Sequence, residues 1–209
     1  MADPSGQQNP TTMSDEQLVE SYRRGQIEVF EVLINRYRSE LLNFLLRFTG
    51  DRTAAEDVFQ ETFLQVHLSA ETFDTDRNFK PWLFTIASNK ARDYMRKRAR
   101  RPAAPLDAPV GGAGGEGGQT FVDLLEGDLP LPDQKLQENE LQALVQRTID
   151  QMPDHLREIL VLSYFQRFSY NEIADMLQIP LGTVKSRLHT AVATFAKLWK
   201  RVNLHSGTS

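Results

Sequence analysis

The stretch FSYNEIADMLQIPLGTVKSRLHTAVATF, residues 168–195, decides the fold of its part of the chain. Ser169 and Glu172 have the spacing of a capping box, which predicts a short helix over residues 170–177. The pentapeptide QIPLG that follows is typical of a turn, and Thr183 is placed to cap a second, longer helix. A short helix, a turn and a longer helix together predict a helix-turn-helix motif.

This predicted motif has the pattern of a DNA-binding element. Apolar positions of its two helices would form a small core: Ile173, Ala174, Leu177, Val184 and Leu188. In the N-terminal half of the second helix, polar side chains would project to where base edges are met in the major groove. They are Thr183, Lys185, Ser186, Arg187, His189 and Thr190. The alternative is a plain helical hairpin with a solvated polar face.

Helical periodicity also fills the first half of the chain. Ser14 and Gln17 are spaced as a capping box for a short helix, and apolar residues recur every three or four positions over residues 26–49. Gly50 is expected to end that long helix. The spacing of Thr53 and Glu56 predicts a further capping box.

The helix after Thr53 has an apolar face made of Val58, Phe59, Thr62, Phe63 and Val66. Pro81 fits the first position of the next helix. Residues 134–151 are amphipathic, and a helix over about 154–165 follows Pro153. Since no segment alternates apolar and polar residues with period two, the sequence predicts an all-α fold.

A change of composition divides the chain. Residues 102–132 hold five of the ten prolines and seven of the twelve glycines, and they contain acids but no Lys or Arg. Such a segment cannot build a packed core, so it predicts a flexible acidic linker. The linker would join two small helical domains, 13–101 and 133–203, and residues 1–12 and 204–209 would be tails.

Composition excludes several classes of protein. The 209-residue chain has no cysteine, which excludes disulfides, thiolate metal sites and a Cys nucleophile. The N-terminus lacks the basic and apolar regions of a signal peptide, and no apolar run approaches the roughly 18–20 residues that span a bilayer. We expect a soluble cytoplasmic protein with no membrane insertion.

A basic cluster stands out in a chain whose formal net charge is −4. SNKARDYMRKRARR, residues 88–101, contains seven basic side chains and one acid. The cluster includes Asn89, Lys90, Arg92, Arg96 and Lys97, and the aromatic residues Phe73, Phe79, Trp82 and Phe84 precede it. Rings beside cations are typical of sites for single-stranded nucleic acid, where bases stack and phosphates are neutralised. We expect Trp82 to be partly buried and Phe73 to be the more exposed ring. The simpler interpretation of the basic cluster is a solvated helix end, where cations are favoured.

A third pattern is AEDVFQETFLQVH, residues 55–67, in which polar residues share one helix face opposite the apolar one. They are Glu56, Asp57, Gln60 and Glu61. A charged face is usually just solvated, and the four histidines form no i,i+4 metal pair. We therefore expect no metal site, no cofactor and no catalytic residues.

These three patterns together resemble the bacterial RNA polymerase sigma factors of the extracytoplasmic-function (ECF) group of the sigma-70 family. The resemblance covers about residues 13–101 and 134–201. AEDVFQETFLQVH resembles the segment that docks on the clamp coiled coil of the polymerase. FKPWLFTIASNKARDYMRKR resembles the segment that melts the promoter and reads its −10 element, and FSYNEIADMLQIPLGTVKSRL resembles the helix-turn-helix that reads the −35 element.

The resemblance implies a role for each pattern. Glu56, Asp57, Gln60 and Glu61 would bind core polymerase, which would also be contacted through its flap. The aromatic and basic residues from Phe73 to Lys97 would act at the −10 element, with Phe73 and its loop, together with Asn89, holding a flipped base. The polar residues from Thr183 to Thr190 would read the −35 element. His189 and Thr190 depart from the family, whose members often carry an aromatic or basic residue and then Arg there.

The implied partners are core RNA polymerase, promoter DNA and an anti-sigma factor, and the acidic linker is expected to lie in a positively charged channel of the polymerase. Two other functions remain open from the residues. One is a stand-alone helix-turn-helix regulator that acts without polymerase. The other is a carboxylate-dependent nuclease that uses Glu56, Asp57 and Glu61.

Overall fold

The computed structural model describes residues 9–100 and 135–206, and within these ranges every regular element is helical. The helices are α1 (Asp15–Arg23), α2 (Glu28–Thr49), α3 (Arg52–Ser69), α4 (Phe79–Arg100), α5 (Lys135–Asp150), α6 (Asp154–Leu160), α7 (Tyr170–Leu177) and α8 (Leu181–Ser206). The predicted all-α fold is confirmed. The predicted linker, residues 102–132, lies outside the described residues, as do most of the two predicted tails.

Two of the predicted capping boxes are present. The amide of Gln17 donates to Ser14 Oγ at 3.2 Å while Gln17 Oε1 accepts from the amide of Ser14, and α1 begins there. Ser169 and Glu172 make the same reciprocal pair at the start of α7. Each box satisfies amides that have no partner within the helix.

Other helix starts differ from the prediction. Asp51, rather than Thr53, caps α3, because its carboxylate accepts from the amide of Ala54 at 2.9 Å. Helix α4 begins at Phe79, which places Pro81 at the third position. Helix α8 begins at Leu181, so Thr183 lies within its first turn.

Two further segments have a backbone conformation that differs from the prediction. Residues Pro10–Thr12, expected to be part of a tail, form a 3-10 turn capped by Asn9. Helix α6 widens into a π-helical turn over Val161–Phe165, where a single helix was expected to continue. The carbonyl of Val161 accepts from the amide of Gln166 at 3.1 Å, which ends this turn.

The first domain is built around α2. Its predicted apolar face is buried, and Leu33, Leu41, Phe44, Leu45 and Phe48 have almost no exposed surface. Helices α3 and α4 pack against it and against each other, and α1 crosses the same core through Leu18 and Val19. This packing fixes the surfaces that face outward on α3 and α4.

The second domain packs directly on the first. The rings of Phe84 in α4 and Phe168 lie 5.2 Å apart at their centroids in an edge-on arrangement. The guanidinium of Arg157 in α6 donates from Nη1 to the carbonyl of Phe48 at 2.8 Å. The buried apolar residues of both domains form one continuous core. The sequence predicted two domains but not this interface.

Gly50 shows how close the two domains come. Its φ of +69° is left-handed, and its amide donates to the carbonyl of Leu46 to end α2, as the sequence predicted. A Cβ at this position would lie 2.8 Å from Asp150 Oδ1 in α5. The left-handed backbone therefore favours glycine here, and a Cβ would also require the Asp150 side chain to shift.

Candidate polymerase and nucleic-acid interfaces

The outward face of α3 is polar at one end and apolar at the other. Asp57, Gln60 and Glu61 are exposed, as the sequence predicted for a solvated or docking face. Glu56 is half-buried and paired with Arg52 at 2.9 Å, which sets it apart from the other three residues. The described residues contain no group of three or more His, Asp or Glu side chains placed to hold a metal ion.

Leu64 and Leu68 extend this face, with exposed fractions of 58% and 67%. The predicted docking face did not include them, because it was defined by its charged and polar residues alone. Their signal was present, since they follow Gln60 and Glu61 at helical spacing and lie off the buried apolar face. Exposed leucines next to carboxylates make a surface with both apolar and acidic contacts for a partner.

The basic face of α4 begins at Asn89. Asn89, Arg96 and Lys97 are exposed, whereas Lys90 and Arg92 are half-buried. Arg92 donates to Asn89 Oδ1, and Arg96 is paired with Asp93 one turn earlier. These bonds within α4 orient the side chains of Arg92 and Arg96 along the helix. The C-terminal end of α4 remains strongly basic.

The aromatic residues before this face are mostly buried. Phe73 has only 4% of its surface exposed, so the expectation that it would be the more exposed ring is wrong. Phe79 and Phe84 have no exposed surface, and in this structure neither can stack on a base. Trp82 is half-buried, as predicted. The rings lie at the two ends of a polar loop, and apolar side chains there turn inward to hold the loop on the core.

The rings of Phe73, Phe79 and Trp82 form one cluster. Centroid distances are 4.6 Å from Phe73 to Trp82, 5.8 Å from Phe73 to Phe79 and 5.7 Å from Phe79 to Trp82. The cluster joins the two ends of the loop, residues 74–78. Phe73 and Phe79, which were predicted to contact nucleic acid, therefore form the base of the loop together with the inner side of Trp82.

The loop side chains are the exposed groups. Asp74, Asp76, Arg77 and Asn78 face solvent, and the amide of Asp76 donates to Asp74 Oδ1 at 3.1 Å in a local turn. An open cleft of about 890 Å³ separates this loop and Trp82 from α7 of the second domain. The polar residues of this loop match none of the sequence motifs, so the sequence did not predict a role for any one of them.

Glu158 of α6 lies buried beside the basic face. Its Oε1 is 3.4 Å from Arg92 Nε, and within the described residues this oxygen accepts no hydrogen bond. Burial raises the pKa of Glu158 to about 7, although the charges of Arg92 and Arg187 act in the opposite direction. A residue predicted for the −10 element and one predicted for the −35 element thus both act on the same carboxyl group.

The second helix of the helix-turn-helix, the start of α8, divides into two faces. Val184, Leu188 and Ala191 are buried in the core of the second domain, as is Ile173 of α7. Lys185, Ser186, His189 and Thr190 are exposed, whereas Thr183 and Arg187 are half-buried. The hydroxyl of Ser186 donates to the carbonyl of Thr183 at 3.1 Å, and that of Thr190 to the carbonyl of Ser186 at 3.0 Å. Lys185, Ser186, His189 and Thr190 are consequently the accessible residues among the predicted −35 contacts.

Two family descriptions match this chain: sigma-70 region 2 over residues 33–101, and sigma-70 region 4 over residues 142–195. RNA polymerase sigma-H factor of Pseudomonas aeruginosa is 35% identical over 182 residues, which are 87% of this chain and 91% of that protein. ECF RNA polymerase sigma factor SigW of Bacillus subtilis is 33% identical over 171 residues, which are 82% of this chain and 89% of that protein. The chain belongs to the ECF group of the sigma-70 family.

A solved structure has a similar arrangement. CnrH in complex with the cytosolic domain of CnrY superposes on this sigma factor with a TM-score of 0.64 and 25% identity, over 90% of this chain and 99% of that one. The relatives are named as sigma factors of RNA polymerase. The chain is thus a factor for promoter-specific initiation by RNA polymerase, and the stand-alone regulator is not supported.

None of the helices in the described parts of the chain is long and apolar enough to cross a membrane.

Proposed function

We propose that this sigma factor divides its contacts among three helices. Helix α3 docks on the clamp coiled coil of core polymerase, the loop 74–78 with α4 opens and reads the −10 element, and α8 reads the −35 element. The observation that carries the proposal is the surface of α3 that the other described residues leave uncovered. On this surface the exposed Leu64 and Leu68 follow Asp57 and Glu61 along the helix. The opposite, apolar face of α3 is buried in the core.

At the −10 element the loop and α4 act together. Asp76, Arg77 and Asn78 are exposed next to the half-buried Trp82, which supplies the accessible ring of this region. Extruding a base costs a few kcal/mol of stacking, which a pocket of polar groups and one ring can offset. Arg96 and Lys97 then neutralise phosphates of the displaced strand.

At the −35 element the exposed face of α8 enters the major groove. Lys185, Ser186 and His189 lie on that face, and each can donate or accept a hydrogen bond at a base edge. Arg187 is half-buried, and its charge acts on the buried carboxyl group of Glu158. We therefore expect Arg187 to contribute less to base contacts than the sequence predicted.

The domains must part before both elements are read. Helix α7 faces the loop across the cleft, while promoter elements about two turns of duplex apart would be separated by roughly 70 Å. The 31 residues of the segment 102–132 could extend to about 100 Å, which is enough for that separation. We propose that this acidic segment then lies in a positively charged channel of the polymerase.

We propose the cytoplasm as the site of action and an anti-sigma protein as a regulator. The similarity to CnrH, which was solved in complex with the cytosolic domain of CnrY, supports this regulator. No metal, cofactor or catalytic group enters this proposal.

A transcription assay with purified core polymerase tests the proposed function. Core with this chain should produce transcripts from defined start sites, and mapping of those sites should place −10 and −35 elements upstream. Sequence-specific binding of the chain alone to duplex promoters, with no effect on the start sites of core polymerase, would contradict the proposal.

A further inference from the structure

Helix α1 contacts both ends of the loop 74–78. Arg23, at the end of α1, reaches the carbonyls before the loop, and Glu16, two turns earlier, reaches the amide after it. Neither residue belongs to the acidic, aromatic or basic patterns of the sequence. The two contacts lie beneath the loop that the proposed function assigns to the −10 element.

The contact at the first end of the loop is made by the Arg23 guanidinium. Its Nε donates to the carbonyl of Ala70 at 2.7 Å, and its Nη2 donates to the carbonyl of Phe73. Only 17% of the side chain is exposed, and Glu20 lies 3.5 Å from Nη1. A planar guanidinium that donates to two carbonyls fixes their relative orientation, which a single ammonium group does less well.

The contact at the second end is made by the Glu16 carboxylate, whose Oε1 accepts from the amide of Phe79 at 3.0 Å. Phe79 is the first residue of α4, so this amide has no acceptor within its own helix. Partial burial would raise the pKa of Glu16, but hydrogen bonds from the amide of Phe79 and from Ser14, together with the charge of Arg36, lower it. The carboxylate is therefore ionised at neutral pH and caps α4 from another helix.

The loop itself has few internal contacts. The amide of Asp76 bonds to the side chain of Asp74, the amide of Arg77 donates to the carbonyl of Asp74 at 3.0 Å, and an exposed ion pair joins Arg77 to Asp74. These bonds shape the turn but do not fix it to the domain. The ring cluster and the two α1 contacts do that.

We propose that Arg23 and Glu16 are positioning residues that hold the base-reading loop at both ends and thereby set its discrimination among −10 bases. The inference depends on the proposed role of the loop at the −10 element. A reading site loses discrimination when its groups move by about 1 Å, even if the fold is intact.

Arg24 offers a matched control. It is the next residue of α1, has the same charge, is 73% exposed on its side chain and pairs only with Glu20 in the described contacts, at 2.9 Å. Arg23→Met removes both loop contacts, Arg23→Lys keeps the charge but not the two-carbonyl geometry, and Arg24→Met removes one surface ion pair.

The test measures binding of the assembled holoenzyme to single-stranded −10 oligonucleotides of the non-template strand. The full chain is saturated with core polymerase, and affinity for the preferred sequence is divided by affinity for singly substituted sequences. We expect Arg23→Met to lower this ratio about tenfold at the base held by the loop, Arg23→Lys and Glu16→Gln to lower it less, and Arg24→Met to leave it unchanged. Affinity for core polymerase should be unaltered in all four variants.

Two outcomes would overturn the inference. The first is an unchanged ratio in Arg23→Met and in Glu16→Gln. The second is a parallel loss of core affinity and oligonucleotide affinity in both Arg23 variants, which would assign Arg23 to the stability of the domain. If the unaltered holoenzyme shows no base preference at all, the proposed function itself fails, and that result is distinct from either outcome.

Discussion

Arg92 of α4 and Glu158 of α6 form an ion pair across the interface between the two domains, with Nε and Oε1 3.4 Å apart. The carboxylate is almost fully buried, and Ser88 of α4 lies beside it. A basic residue predicted for promoter DNA is thus engaged by the second domain of the same chain. Binding of Arg92 to a phosphate would require this pair to break.

The first prediction concerns the pH dependence of stability. Burial raises the pKa of Glu158 to about 7 from the 4.5 of an unperturbed Glu. Between these values the folded chain binds more protons than the unfolded chain, so stability falls as pH rises. A shift of this size corresponds to at most about 3 kcal/mol. Urea unfolding at pH 5 and pH 8 measures the change.

Glu158→Gln should remove that part of the pH dependence and be at least as stable as the unaltered protein at pH 8. Glu61→Gln, on the exposed face of α3, is the control and should retain it. Identical pH dependence in Glu158→Gln and in the unaltered chain would show that this carboxyl group does not control the interface.

The second prediction concerns Arg157, which is 6% exposed. Its guanidinium donates to four carbonyls, those of Phe48, Ile149, Asp150 and Met152, at 2.8 to 3.1 Å. Arg157→Met leaves these acceptors without their donor, and we expect it to destabilise the protein by on the order of 3 kcal/mol. Thermal unfolding followed by circular dichroism measures the loss.

Arg147→Met is the matched control for Arg157. Arg147 is exposed on α5, and its Nε is 3.4 Å from the carbonyl of Ala143 in the same helix. We expect less than about 0.5 kcal/mol from this surface change. Equal effects of the two substitutions would argue against Arg157 as the link between α2 and the second domain.

The third prediction concerns docking on core polymerase. Reversing the charges of Asp57 and Glu61 to Lys should weaken core binding while leaving helix content intact, because exposed charges contribute little to folding. Leu64→Ala should weaken it further, since an exposed leucine covered by a partner contributes about 1.5–3 kcal/mol. Glu31→Lys, an exposed reversal on α2, is the control. Unchanged core affinity in the double reversal would place the docking surface elsewhere.

The fourth prediction concerns the −35 element. His189 is exposed one turn after Lys185 on α8, and His189→Ala should change which −35 bases are preferred, by about 1–3 kcal/mol per good contact. Transcription from a library of −35 sequences measures the change, and Lys197→Ala, exposed farther along α8, should have no such effect. A uniform loss over the whole library would instead mark His189 as a phosphate contact.

Local signals in the sequence predicted most of the helices. The capping boxes at Ser14 and Ser169 and the apolar face of α2 depend on neighbours along the chain, so a pattern of three or four residues is enough to find them. At α3, Asp51 caps the helix in place of the predicted Thr53, because its carboxylate accepts from the amide of Ala54. The sequence pattern predicted that a helix starts here, but not which side-chain oxygen caps it.

Burial in the candidate site was harder to predict, because it depends on contacts distant in sequence. Phe73 lies in a polar stretch and was expected to be exposed, but Phe79 and Trp82 cover it. Arg23 and Glu16 act on backbone atoms about fifty and sixty residues away, for which no sequence pattern exists. The interface between the domains has the same origin, since Glu158 and Arg92 acquire their relationship only through folding.

The chain contains two tryptophans, and they stand in different surroundings. Trp199 stacks on Phe195 within α8, whereas Trp82 forms part of the wall of the cleft between loop 74–78 and α7. Indole emission depends on access of water, so in Trp199→Phe protein the remaining emission reports on the surroundings of Trp82, which are the ring cluster and the cleft. Departure of the second domain would appear as a change of wavelength in unlabelled protein. The factor therefore carries an intrinsic optical probe of the proposed separation of its domains, which can be read in the isolated protein.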